Sequence, residues 1–327
     1  MYSFSEIIGN GGLIKNLKSA IKYNKVSHAY IFCGSEGSGK KLIAKTFAKA
    51  LSCENGNACG TCRSCRVFDR GNHPDVFFVA PSKTKALSVE DIREQVIENV
   101  AVKPYKSGRK IYIIDKAETM TAAAQNAFLK TLEEPPEYAV FILLAGNMDM
   151  FLPTVLSRCV VFKINPLSNT EVSEYISKKF GVPTEEAQFL AEYAGGSIGK
   201  AVRLKNDENF YKMREYISDR LFGVKSANLA EILGWGREIK AEFGANEEIF
   251  DIMYLWYRDL LAAKALENHK YIIEKDKADK ISKQAEKESF ESIIRALDAI
   301  WYGKKLVGRN VSFQLAMETT LMKIKEN

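Results

Sequence analysis

No stretch of this 327-residue sequence stays apolar for long. The longest uninterrupted run, AVFILLAG at 139–146, is far shorter than the roughly 20 residues a membrane span needs, so no membrane role is expected. The opening residues, MYSFSEIIGN, lack the basic-then-apolar pattern of an export signal, and a cytoplasmic location is the default expectation. Neither sign of charge dominates. A net charge of +6 permits contact with nucleic acid or acidic partners without demanding it, and a solvated basic surface accounts for it equally well. No internal repeat is visible. Six cysteines in a cytoplasmic chain argue against disulfides. With 46% hydrophobic and 27% charged residues the composition is that of a folded globular protein, and the length exceeds one ordinary core, which points to two or three domains.

The first half reads as alternating strands and helices. HAYIFCG (28–34) is a short apolar run ending in glycine, and Leu42, Ile43, Phe47, Ala50 and Leu51 then recur at helical spacing. A cysteine-rich insert (53–65) and a polar stretch follow. VEDIREQVIENV predicts an amphipathic helix capped by Ser88, and KIYIID (110–115) a buried strand ending in an acid. TAAAQNAFLKTLEE is helical up to the Pro135–Pro136 pair; YAVFILLAG and CVVFKI supply two more strands. Continuous apolar strands separated by helices predict a parallel sheet covered on both faces, an α/β P-loop-type domain over 1–165. After 165 the pattern turns helical: a small helical domain over 166–207, then a helical C-terminal domain over 208–327. In the latter, Phe250, Met253, Tyr254, Tyr257, Leu260 and Leu261 form one apolar stripe, and Ile293, Ile294, Leu297, Ile300 and Trp301 another.

Strand, glycine turn and helix are the setting of a phosphate-binding loop, and GSEGSGKK (34–41) nearly completes G-x-x-x-x-G-K-[ST]. Gly34, Gly37 and Gly39 would let backbone N–H groups face a phosphate at a helix N-terminus, and Lys40 would reach the β- and γ-phosphates of ATP or ADP. A glycine turn without a ligand is the alternative. Hydrolysis asks for more, because magnesium must be held by a loop hydroxyl and an acid on a second strand. Asp115 can be that acid. Position 41, however, is a lysine, which has no lone pair and places a cation where the metal would sit. Position 116, where many such ATPases carry a glutamate base, is also a lysine. Nucleotide binding is compatible with these residues; turnover is not expected.

CENGNACGTCRSC brings Cys53, Cys59, Cys62 and Cys65 within thirteen residues, with two overlapping C-x-x-C pairs. Four thiolates and no open position suit a structural tetrahedral Zn²⁺, a redox-active cluster being the alternative. Cys33 and Cys159, isolated beside strands, read as small core groups. Arg158, between a helix and a strand in PTVLSRCVVF, would ordinarily be a surface charge, although in P-loop assemblies such an arginine reaches a neighbouring subunit's γ-phosphate.

FSEIIGN, SHAYIFCGSEGSGK, the four-cysteine insert, NHPDVF, IIDKAETMTAAAQNAFLKTLEEPPE, FILLAGN, LPTVLSRC and GGSIGKA follow one another in the order of bacterial clamp-loader AAA+ subunits. The sequence resembles that family closely over about the first 200 residues and loosely, through WYRDLL and SFQLAMETTLMKI, beyond. The resemblance implies an AAA+ P-loop domain, a helical lid and a C-terminal collar. It implies a trans role for Arg158 in the S-R-C motif, a zinc module at the four cysteines and a phosphate-sensing position at Lys200. The family's polar sensor would fall near Ala145 or Gly146, with Asn147 the nearest polar residue. Implied partners are the gamma/tau and delta subunits and, through the assembly, the sliding clamp and primer–template DNA. Within the family the altered ATP site resembles the delta-prime type, which does not hydrolyse ATP. A gamma/tau-type motor and a zinc-stabilised P-loop kinase working alone are the competing readings.

Overall fold

The fold is taken from a computed structural model that describes residues 2–82, 86–266, 271–309 and 311–326. The chain divides into two compact units, Met1–Glu171 with Gly196–Lys200, and Val172–Gly195 with Ala201–Asn327.

The first unit is built on five parallel strands: β1 (Ala29–Cys33), β2 (Val76–Val79), β3 (Lys110–Ile114), β4 (Ala139–Ala145) and β5 (Val160–Lys163), in the order β2-β3-β4-β1-β5. The register aligns Ile31 with Leu143 and Ile113 with Ile142, so the strands that end in the phosphate loop and in Asp115 open at the same edge. The helices are α1 (Gly11–Lys22), α2 (Lys40–Ser52), α3 (Arg63–Asp69), α4 (Val89–Ile92), α5 (Glu98–Val100), α6 (Ala122–Glu133) and α7 (Pro153–Leu156). Alternate residues of β1, β3 and β4 feed two cores. Tyr30, Phe32, Ile113 and Ile142 meet Phe47 of α2 on one face; Ile31, Tyr112 and Phe141 meet Phe128 of α6 on the other. Each such fully buried side chain contributes roughly 1.5–3 kcal/mol. This is the α/β P-loop-type architecture the sequence predicts, with one strand more than its pattern revealed. β2 has only four residues, with Phe78 46% exposed, and so lacks the continuous apolar signature of the central strands. β5, at the other edge, leaves Val160 and Val161 exposed, so the sheet is not covered throughout.

The helix expected over 89–100 forms, but its middle, Arg93–Ile97, is π-helical between α4 and α5. Ser88 caps it in a reciprocal box with Asp91.

The second unit is helical in its described residues. Most of α8 (Asn169–Phe180), α9 (Thr184–Ala194) and the end of α10 (Ile198–Lys205) are followed by α11 (Glu208–Gly223), α12 (Leu229–Phe243), α13 (Glu248–Leu266), α14 (Ala278–Lys287), α15 (Phe290–Val307) and α16 (Phe313–Glu326). Phe250, Met253, Tyr257 and Leu260 are buried as their spacing predicts, and Trp256 is buried with its indole N–H donated to Gln284 Oε1 at 3.1 Å. The second stripe behaves differently. Ile293 and Ile300 are buried, whereas Ile294 and Trp301, like Tyr254 on α13, face outward. Helical spacing marks an apolar face without saying which neighbour covers it. Among the described residues no helix is long and apolar enough to cross a membrane.

Candidate nucleotide and metal sites

The loop after β1 has the backbone its glycines permit. Gly37 and Gly39 adopt φ of 73° and 90°, in the left-handed region, and Gly39 leads directly into α2. Gly37 serves a second purpose. Its carbonyl accepts the Gly199 N–H at 3.2 Å, and a Cβ in its place would overlap the Ser197 hydroxyl and lie 2.9 Å from the Lys200 nitrogen. Ser197 Oγ donates to the Glu36 carbonyl at 3.2 Å and accepts the Lys200 N–H at 3.0 Å. The first turn of α10 is thereby held against the loop, with the Lys200 backbone beside Gly37. Gly34, at the loop's start, donates its N–H to the Ala145 carbonyl at the end of β4.

The Lys40 ammonium folds back on the loop and donates to the carbonyls of Gly34 and Ser35 at 2.6 and 2.7 Å. Burial pulls its pKa below the ordinary lysine value, against the opposing field of Glu118. The neighbouring lysine makes the defining contact. Lys41 Nζ lies 2.8 Å from Asp115 Oδ2, while Asp115 Oδ1 accepts the Lys116 N–H at 3.1 Å. Both oxygens of the acid expected to hold magnesium are therefore engaged, one by a cation. Lys116 follows in a left-handed conformation, φ 51°.

At the end of β4 no polar side chain stands at Ala145 or Gly146, and Asn147 turns its Oδ1 to the amide of Asp149. The polar group present is Glu118, unmarked in the sequence reading. Its Oε1 accepts the Gly146 N–H at 3.0 Å, and its buried Oε2 has no hydrogen-bond partner.

Arg158 lies two residues beyond α7. Its guanidinium donates to the Thr154 carbonyl at 2.9 Å and lies 2.7 Å from Glu133 Oε1 at the end of α6. Glu133 belongs to LKTLEE, but nothing in its spacing announces the pairing. Cys159 is a core group, its thiol pushed up to about 12 by burial, and burial also raises Cys33.

The four clustered cysteines converge. All four sulfurs lie within 4.8 Å of one another, with Cys53–Cys59, Cys53–Cys62 and Cys59–Cys65 separations of 3.7, 3.9 and 4.0 Å. A disulfide would need about 2.05 Å. Four sulfurs about 2.3 Å from a central ion would form a tetrahedron with edges near 3.8 Å, so the donor set fits a tetrahedral metal. Cys62 caps α3 by accepting the Cys65 N–H, and Cys59 accepts the Cys62 N–H. The Thr61 hydroxyl and nearby amides draw the Cys59 thiol down to about 5, favouring the thiolate a metal requires. Behind the module, His73 Nδ1 accepts the Asp75 N–H and its Nε2 meets Ser64 Oγ at 3.0 Å, while Ser64 donates its proton to the Ser52 carbonyl. This histidine is therefore set to donate to the serine, a structural tie and not an activated nucleophile.

Comparison with known proteins shows what this chain is similar to. The family model described as DNA polymerase III, delta subunit, matches residues 9–168. The DNA polymerase III subunit delta' of Bacillus subtilis is 29% identical over 321 residues, covering 96% of this chain and 95% of that protein. The tau/gamma subunit of Haemophilus influenzae is 37% identical over 211 residues, covering 62% of this chain. Of that relative's length only 30% is matched, and 57% of a Buchnera aphidicola gamma subunit. A gamma subunit-related protein of Thermotoga maritima, 20% identical, aligns over 95% of this chain with a TM-score of 0.43. The chain is thus similar to DNA polymerase III subunits of the delta' and gamma/tau types, to the former along nearly its whole length.

Proposed function

We propose that this chain is the delta-prime-type member of a clamp loader, a largely non-hydrolysing subunit that offers Arg158 in trans to the ATP of a gamma/tau neighbour. The observation that carries this reading is the 2.8 Å Lys41–Asp115 ion pair. A catalytic P-loop site needs oxygen ligands for its metal at these two positions, and here an ammonium and its counter-ion meet instead. The phosphate cradle of Gly34, Gly37, Gly39 and Lys40 is retained, and Lys200 lies beside it as a phosphate-sensing position. The near full-length match to a delta' subunit also supports the assignment.

In this reading Arg158 supplies a fixed positive charge where charge develops on a phosphate held by another subunit. Residues 1–165 form the AAA+ domain, 166–207 the lid and 208–327 the collar. The outward-facing Ile294, Trp301 and Tyr302 of α15 suit a surface that joins other subunits. Zn²⁺ at Cys53, Cys59, Cys62 and Cys65 holds the insert together without chemistry of its own. The partners are gamma/tau and delta, with the sliding clamp and primer–template DNA reached through the assembly in the cytoplasm.

A gamma/tau-type motor is the second reading, favoured by the 37% identity to a tau/gamma subunit. Steady-state ATP turnover separates the two. The purified chain should release phosphate at background rate, indistinguishable from its Lys40→Ala variant. Turnover that Lys40→Ala abolishes would establish the motor.

A further inference from the structure

The engagement of both Asp115 oxygens changes what the loop can bind. Magnesium demands near-octahedral oxygen coordination. Here it would meet no hydroxyl at position 41, and a carboxylate already neutralised at Oδ2 by Lys41 and bonded at Oδ1 to the Lys116 amide. The metal does not fit. A phosphate does: α2 is thirteen residues long, its first amides lack intrahelical acceptors, and Gly37 and Gly39 open the turn before it. Lys41 sits in that first turn. An ammonium carries three N–H donors, so Lys41 can give one to Asp115 and turn the others toward phosphate oxygens. The pair is open to an incoming ligand, with side chains 58% and 38% exposed.

A carboxylate, Glu118, stands beside the loop at the end of β4. Gly34 is hydrogen-bonded to Ala145, and Glu118 is fixed on the next residue, Gly146, by one oxygen while its other oxygen is buried without a partner. A terminal phosphate extending toward the end of β4 would approach this carboxylate, with no divalent ion to separate the two anions.

We infer that this pocket is a metal-independent site for a nucleoside diphosphate, with Lys41 as a built-in cation bridging Asp115 and the phosphates where other P-loops use magnesium. The inference rests on the reading of the site as non-hydrolysing and is independent of what Arg158 does elsewhere.

The test titrates the full chain with a fluorescent adenosine diphosphate analogue in excess EDTA and in excess magnesium, and repeats it with the triphosphate. Wild-type dissociation constants for the diphosphate should agree within about threefold between the two conditions, and the triphosphate should bind more weakly in EDTA. Lys41→Thr, an exposed change that leaves the melting temperature in place, should weaken metal-free binding by at least about tenfold, the cost of a charge-assisted contact, and restore a dependence on magnesium. Lys40→Ala should weaken binding in both conditions. Binding only with magnesium, undetectable diphosphate binding, tighter triphosphate binding in EDTA, or a Lys41→Thr variant equal to wild type in EDTA would each overturn the inference. An Arg158→Ala effect on a neighbour's ATPase that persists alongside such a failure would leave the subunit assignment standing.

Discussion

Arg158 and Glu133 form an ion pair of 2.7 Å across the ends of α7 and α6, with the same guanidinium also bound to the Thr154 carbonyl. An arginine that acts on another subunit must keep its direction when that subunit is absent, and an acid at its side supplies the constraint. Glu133→Gln should therefore lower ATP turnover of a reconstituted loader by roughly tenfold, the scale of a lost orienting contact. Its effect on stability should be no more than about 1 kcal/mol, because both partners are partly exposed. Loader turnover equal to wild type would remove Glu133 from the account.

The four-sulfur cluster predicts one zinc per chain by elemental analysis. Replacing Cys62 and Cys65 together by serine should abolish it and lower the melting temperature, by roughly 2–4 °C for each kcal/mol lost in a chain of this size. Full zinc content in that variant would place the metal elsewhere.

Asp75 predicts a pH dependence. It is 1% exposed; burial alone would raise its pKa, but the amides of Ser107, Tyr105 and Lys106 and the Ser107 hydroxyl hold it below the ordinary aspartate value. A depressed acid contributes stability that is complete above its unfolded pKa of about 3.9 and is lost as pH falls through the lower folded value. Asp75→Asn should cost about 2–4 kcal/mol at neutral pH, through weakened hydrogen bonds to a charged acceptor. The difference from wild type should shrink below pH 4 in thermal melts. An equal loss at neutral and acid pH would show that the charge is not what holds the 105–107 loop.

What the sequence revealed, and what it hid, divides by the range of the interaction. The β1–loop–α2 unit, the Ser88 cap and the cysteine spacing are local, and residues a few positions apart carry them. β2 escaped because a four-residue edge strand with an exposed phenylalanine has no periodicity to detect. Position 41 was legible as a lost hydroxyl, but its partner was not, since only the parallel register of β1, β4 and β3 brings Lys41 to Asp115. Glu118 and Glu133 were hidden for the same reason: each meets its partner only across the sheet edge or between helices. On α15 the spacing showed an apolar helix and could not show that Ile294 and Trp301 of its stripe turn outward.

The most direct test assembles this chain with the proposed gamma/tau and delta partners and measures ATP hydrolysis stimulated by clamp and primed DNA, with wild-type chain and with Arg158→Ala. Intact assembly by gel filtration with turnover reduced by about 10³-fold or more at the site facing this chain, the range seen when an arginine finger is lost, is the predicted result. An assembled Arg158→Ala loader that hydrolyses ATP at every site as fast as wild type would contradict the account.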